Sequence, residues 1–504
     1  MRQLLKIILF AVSVSVVSAG AISAQPTDRD APKGGVLSLL PAPQTTQHSI
    51  TIASGKLNYT ATAGTLSLLG GDGGVTAEIF YTAYSVKASP GEAQTQRPIT
   101  FVFNGGPGAA SAYLHLGALG PRVLATAPDG HFLPPPQKLK DNPDTWLDMT
   151  DLVFIDPVGT GYSREAPDQK ASDFWGVQQD ASSVGAFVRL YLSQTGRTGS
   201  PVYLAGESYG GFRAALMSRT LQEEAGIAPS GLVLISPALE FMLVRPDEFE
   251  PLQWAMELPS MAAARLEKEG VTGQEFRDRV AQVERYALGE YLVALASGLE
   301  EGGRIASERV AQITGLPLDI VQRNFARIPT FLFTSEFARA DKAVVSAYDT
   351  GIETADISPG GLGRDGPDPV LDRSVPALTS AFVRYVRDEL NFHTDISYRL
   401  LNREISSKWD YGTSSSRQGY AGVMGDLQRA RSLNPDLGVL IVHGYTDLVT
   451  PYMASRYLVS QLPSLKGALP IRVDVLEGGH MMYLRPDSRR ALKAAASDLY
   501  KVER

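Results

Sequence analysis

The chain has 504 residues, 44% of them hydrophobic and 20% charged, with a formal charge of -7. That is enough material for two domains or for one large core carrying an insertion, and its acidic balance argues against nucleic acid or anionic membrane as a partner. The absence of cysteine excludes disulfides, thiolate metal sites, a cysteine nucleophile and lipoprotein attachment.

The N-terminus reads "MRQLLKIILFAVSVSVVSAGAISAQ". Arg2 and Lys6 precede an apolar stretch from Ile7 to Val17, and small residues lead to a cleavage point at Ala24. This is the layout of a secretory signal peptide over residues 1–24. The expected location is secreted or periplasmic, without stable membrane association after cleavage, since no later apolar run is long enough to span a bilayer.

Residues 50–88 alternate apolar and polar positions around "GGDGG", which predicts an antiparallel hairpin turning on those glycines. Short continuous apolar runs follow at 99–103, 151–156, 201–206, 232–236, 439–444 and 472–478, with helical stretches at 172–195, 211–225 and 418–433. Buried strands alternating with helices predict an α/β fold, with a mostly parallel sheet covered on both faces. Between Ile235 and Val439 the alternation gives way to charged helical and then loop-rich sequence. The expected division is core over 25–240, a largely helical cap insertion over 241–410, and core again over 411–504.

Gly206-Glu207-Ser208-Tyr209-Gly210 matches G-x-S-x-G. A chain with 48 glycines produces such a match easily by chance, so its setting matters more. The apolar "VYLA" enters it and the helical "FRAALMSRTLQEE" leaves it, which is the strand-turn-helix context of a nucleophile elbow. A serine hydroxyl needs a base, usually a histidine oriented by a carboxylate, in the order Ser, Asp, His for such a fold. Of the six histidines, His480 alone lies in a glycine-lined loop, "EGGHMMY", after the last expected strand. Asp447, in "HGYTDLVTP", follows the preceding strand, one helix and one strand before His480. His443 is the rival base, but it ends a strand ahead of any acid, as a hydrogen-bonded core histidine would. After the strand "ITFVF" comes Asn104-Gly105-Gly106-Pro107-Gly108. Backbone N–H groups there, with that of Tyr209, are expected to stabilise an oxyanion.

Seven blocks in order, "NGGPG", "GALGP", "NPDTW", "DLVFIDPVGTGYS", "GESYGG", "NPDLGVLIVHGYTDLVTPY" and "GGHMMY", resemble the S10 family of serine carboxypeptidases, especially its bacterial members. The resemblance implies an α/β-hydrolase core with a largely helical cap, and removal of one residue from the free C-terminus of a peptide. It implies Ser208, Asp447 and His480 as the catalytic triad, and the N–H groups of Gly106 and Tyr209 as the oxyanion hole. It further implies Asn104, the N–H of Gly105 and Glu207 as the site for the terminal carboxylate. Glu207 can donate to that carboxylate only when protonated; a buried acid bracing the elbow is the alternative.

Two positions depart from the family: Val102 stands where a tryptophan is common, and Ala118 where a second acid is common. No metal and no organic cofactor is called for. The partner that the resemblance implies is a peptide with a free C-terminus. An esterase or acyltransferase on the same machinery, or an inactive hydrolase-fold binding protein, are the alternatives.

Overall fold

The computed structural model describes residues 35–88, 93–244, 249–361, 366–412 and 421–501. The expected signal peptide lies outside them. The strands of the main sheet are β1 (Gln44–Ile52), β2 (Gly55–Leu69), β3 (Val75–Ser85), β4 (Ile99–Phe103), β5 (Asp151–Ile155), β6 (Arg164–Glu165), β7 (Val202–Glu207), β8 (Gly231–Ile235), β9 (Gly438–Gly444) and β10 (Ile471–Leu476). Their order is β1-β2-β3-β5-β4-β7-β8-β9-β10, with β6 paired to β3. The pairs from β1 to β5 are antiparallel, and every pair from β5 through β4 to β10 is parallel.

The expected hairpin is β2 with β3, turning at 70–74. Ile50–Ile52, however, belong to the separate strand β1, which turns back at Gly55. A tight turn joins the two strands so closely that their alternating patterns run together in sequence.

The long helices are α1 (Val177–Gln194), α2 (Tyr209–Glu224), α3 (Pro251–Lys268), α4 (Gly273–Tyr286), α5 (Leu299–Thr314), α6 (Leu371–Asp388), α7 (Met424–Leu433), α8 (Tyr452–Ser460) and α9 (Pro486–Tyr500). Central strands are predominantly apolar because successive side chains point to opposite faces and both faces are covered. Phe101, Val153, Leu232 and Ile441 pack with Val184 and Phe187 of α1, Phe212 of α2 and Leu427 of α7. Their neighbours Val102, Phe154, Val233 and Val442 pack on the other face with Leu492 of α9 and Phe382 of α6. Each such side chain taken fully from water contributes about 1.5–3 kcal/mol. β10 is only half-buried along most of its length, although a buried strand is predicted there, because it forms the edge of the sheet.

Between β8 and β9 the chain leaves the sheet. α3 and α5 share their own apolar cluster, in which Ala255, Leu258, Ala262, Ala306 and Val310 meet Leu448 from the loop after β9. α6 is different: Ala377, Leu378, Ala381 and Phe382 join the core cluster of the sheet itself. Backbone hydrogen bonds from Asn402 N–H to Gly108 O and from His480 N–H to Tyr348 O tie the loops after β4 and β10 to the segment between β8 and β9, at the edge where parallel α/β sheets bind ligands.

Candidate active site

Ser208 is the single residue between β7 and α2, and it takes φ +59° and ψ -124°. A non-glycine residue rarely adopts such a backbone, at a cost of about 1–3 kcal/mol. The surroundings impose it. The Ser208 N–H donates to Ile235 O at 2.9 Å, and its carbonyl accepts from the N–H of Gly211 at 2.9 Å. The flanking glycines follow from close packing: a Cβ on Gly206 would run into the Gly210 carbonyl, and one on Gly210 would lie 2.6 Å from Phe103 O.

The loop after β4 lies against this turn. A Cβ on Gly105 would meet the Tyr209 nitrogen and sit 2.6 Å from Glu207 O. Tyr209 begins α2, so its N–H has no acceptor within the helix. Gly106 and Gly108 take φ +98° and +103°. The loop is held by Ala109 N–H to Gly105 O at 3.0 Å and by Asn402 N–H to Gly108 O at 2.8 Å.

Asp447 and His480, on the loops after β9 and β10, meet directly: His480 Nδ1 is 2.8 Å from Asp447 Oδ2. Asp447 is 0% and His480 3% exposed. Asp447 Oδ1 accepts the N–H groups of Val449 (2.8 Å) and Thr450 (3.0 Å). The Thr450 hydroxyl is 2.7 Å from Asp447 Oδ2, and 3.0 Å from both His480 Nδ1 and Ser236 O. Burial opposes charge on the imidazole, but the Asp447 carboxylate outweighs it and raises the His480 pKa above its ordinary value. The backbone of the histidine loop is fixed by His480 N–H to Tyr348 O at 2.5 Å and by the Ser236 hydroxyl to His480 O at 2.9 Å. Ser236 follows Ile235, the acceptor for the Ser208 N–H, so this dipeptide bridges the elbow and the histidine loop. Among the described residues, the Ser208 hydroxyl is not hydrogen-bonded to His480; catalytic hydrogen bonds are often long before substrate binds.

Glu207 is the last residue of β7, and Asn104 is the first residue after the adjacent strand β4. Asn104 Nδ2 donates to Glu207 Oε2, while Asn104 Oδ1 accepts the Leu114 N–H at 3.0 Å, fixing the amide's orientation. The Asn104 carbonyl is held by Arg213 at 2.7 Å, whose guanidinium pairs with buried Asp180 at 2.6 and 3.1 Å. Glu207 is 3% exposed, and burial pushes its carboxyl up to about 7, against smaller opposing pulls from His480, Tyr483 and Asn104.

His443 is buried and bonded to Ser455 Oγ at 2.8 Å, and burial lowers its pKa to about 4. His115 is stacked on Phe154 and bonded to Tyr84 in the core. Val102 and Ala118 are both buried in that same core. Sequence reasoning overlooked Tyr483, Thr450, Ser236 and Tyr348. Tyr483 stands inside the "GGHMMY" block, and Thr450 follows Asp447 by three residues, a spacing that favours side-chain turns; the positions of Ser236 and Tyr348 carry no local signal. Among the described residues, no group of three or more His, Cys, Asp or Glu side chains is placed to hold a metal, and no helix is long and apolar enough to cross a membrane.

The serine carboxypeptidase family model matches residues 66–227. Pheromone-processing carboxypeptidase KEX1 of Yarrowia lipolytica is 32% identical over 145 residues, 28% of this chain and 22% of that protein. Serine carboxypeptidase-like 34 of Arabidopsis thaliana is 28% identical over 154 residues, 30% of this chain and 28% of that protein. The chain thus spans about a quarter of the length of these curated relatives. The crystal structure of a prohormone-processing carboxypeptidase, KEX1Δp of Saccharomyces cerevisiae, superposes with a TM-score of 0.54 at 16% identity, covering 87% of this chain and 91% of that one. The chain has the α/β-hydrolase fold, and residues 66–227, which hold both the "NGGPG" loop and the "GESYGG" elbow, carry the sequence pattern of the serine carboxypeptidase family.

Proposed function

We propose that this protein is a serine carboxypeptidase that removes the last residue of peptides through an acyl-enzyme. The observation that carries this reading is the joint setting of the Ser208 elbow, the buried Asp447–His480 pair and the buried Glu207–Asn104 pair at one edge of the sheet. His480, oriented by Asp447, takes the proton of Ser208 as its oxygen attacks the last peptide carbonyl. The N–H groups of Gly106 and Tyr209 receive the tetrahedral oxyanion. His480 then protonates the leaving amine, and water releases the shortened peptide by the same route. Asn104, the Gly105 N–H and protonated Glu207 bind the substrate's terminal carboxylate.

Residues 241–410 would act as the cap that shapes the peptide pocket, and residues 1–24 would direct export to the periplasm or medium. The missing second acid at Ala118 favours one further reading, an esterase or acyltransferase that needs no terminal carboxylate.

The deciding experiment compares an N-blocked peptide with a free C-terminus, its C-terminal amide and an aryl ester, with Ser208→Ala as control. Release of one residue from the free acid only, lost in the control, is expected. Equal cleavage of the amide, or turnover of the ester alone, refutes the carboxypeptidase reading. Wild-type protein left unlabelled by a serine-directed phosphonate would refute the nucleophile itself.

A further inference from the structure

Tyr483 follows the histidine loop and is fully buried, three residues beyond His480. Its hydroxyl donates to Glu207 Oε2 at 2.7 Å, the same oxygen that accepts from Asn104 Nδ2. The ring reaches that position because Gly117 has no side chain: a Cβ there would lie 2.5 Å from the Tyr483 ring edge. Two donors thus converge on one carboxyl oxygen. Asn104 cannot reverse its role, since its Oδ1 is committed to the Leu114 N–H. Tyr483 cannot easily become an anion, since burial and the neighbouring Glu207 both drive its pKa upward.

An oxygen that already accepts two hydrogen bonds is a poor seat for a proton, because protonation there would set the new O–H against the two donors. The proton of neutral Glu207 therefore belongs on Oε1. We infer that Tyr483 is a positioning residue for substrate recognition: with Asn104 it holds Glu207 Oε2 as an acceptor, so that the proton sits on Oε1 and can be donated to a substrate carboxylate. This rests on the carboxypeptidase reading above and adds to it the residue that orients the acid. The other titratable groups that bear on Glu207 are His480 and Asp447, from the loops after β10 and β9, and the phenols of Tyr113 and Tyr348.

The test is Tyr483→Phe, which keeps the ring packed on Gly117 and removes only the donor. In wild-type protein the acid C=O stretch of Glu207 is identified by infrared difference spectroscopy as the band that Glu207→Gln abolishes. In Y483F that band should move to higher frequency, because its carbonyl oxygen has lost a hydrogen bond, and its titration midpoint should rise, because a donor that favoured the ionised form is gone. In parallel, the ratio of kcat/KM for the free-acid peptide to that for the aryl ester should fall about 3- to 10-fold below pH ~6, the scale of one neutral hydrogen bond. A band and midpoint unchanged in Y483F overturn the inference, as does an equal loss on acid and ester, which would mark Tyr483 as a packing residue. Wild-type protein that ignores the free acid would instead sink the carboxypeptidase reading, and the infrared comparison would still decide where the proton sits.

Discussion

Replacing Glu207 with glutamine keeps the shape of the side chain and removes its titration. In the wild type, burial raises this carboxyl from the ordinary 4.5 to about 7. That gap corresponds to about 3 kcal/mol of difference between how the fold tolerates the protonated and ionised forms. The folded protein holds the proton more tightly than the unfolded chain does. The contribution is therefore fully present below about pH 4.5 and is lost as the pH rises through about 7. Glutamine does not titrate, so the stability of Glu207→Gln minus that of wild type should grow by about 3 kcal/mol across this window and level off above it. Urea unfolding of both proteins at closely spaced values between pH ~4 and ~8.5 measures this directly, with equal m-values as the control. A difference that stays flat with pH, or that shrinks as the pH rises, would refute the claim that the fold keeps this acid neutral.

The two buried groups also predict different pH profiles for different substrates. Ester turnover needs neutral His480, whose pKa is raised by Asp447 despite burial, so it should climb as the pH rises above the ordinary imidazole range. Turnover of a free-acid peptide also needs protonated Glu207 and should decline again above about pH 7; a free-acid profile that tracks the ester profile would count against Glu207 as the carboxylate donor. Asp447→Asn should lower kcat about 10³- to 10⁴-fold and move the rising limb of the ester profile to lower pH, as steady-state kinetics would reveal. Gly105→Ala would press a methyl group against the Tyr209 nitrogen and Glu207 O; it should cost about 1–3 kcal/mol in urea unfolding and lower kcat for ester and peptide alike. Asp180→Asn leaves the buried Arg213 guanidinium without its counter-charge and should destabilise the fold by about 3–5 kcal/mol, read as a lowered unfolding midpoint.

The amino-acid sequence by itself determined the parts that depend on local periodicity and short-range geometry. Doubly buried strands are predominantly apolar on both faces, so "ITFVF", "DLVFID" and "LVLIS" were legible as central parallel strands. The elbow was legible because a strand, a strained serine and a helix packed this closely admit only glycine at Gly206 and Gly210. Where a pattern is weaker, boundaries moved: β1 merged with the hairpin, and the helix expected from 418 is described only from Met424. The edge strand β10 was read as buried, since an apolar run does not reveal how many neighbours a strand will find.

Tertiary structure decided what long-range contacts create. That α6 belongs with the main core, whereas α3 and α5 pack on one another, depends on which partner each apolar stripe meets. The same holds at the site. Ordering Ser, Asp and His along the chain picks out candidates, but the bridge from Ser208 through Ile235 and Ser236 to His480 joins residues far apart in sequence. Tyr483 reaches Glu207 only because Gly117, on another segment, makes room for its ring. Hydrogen bonds to a buried acid are set by side chains that converge in space, and a linear chain encodes that convergence only through the whole fold.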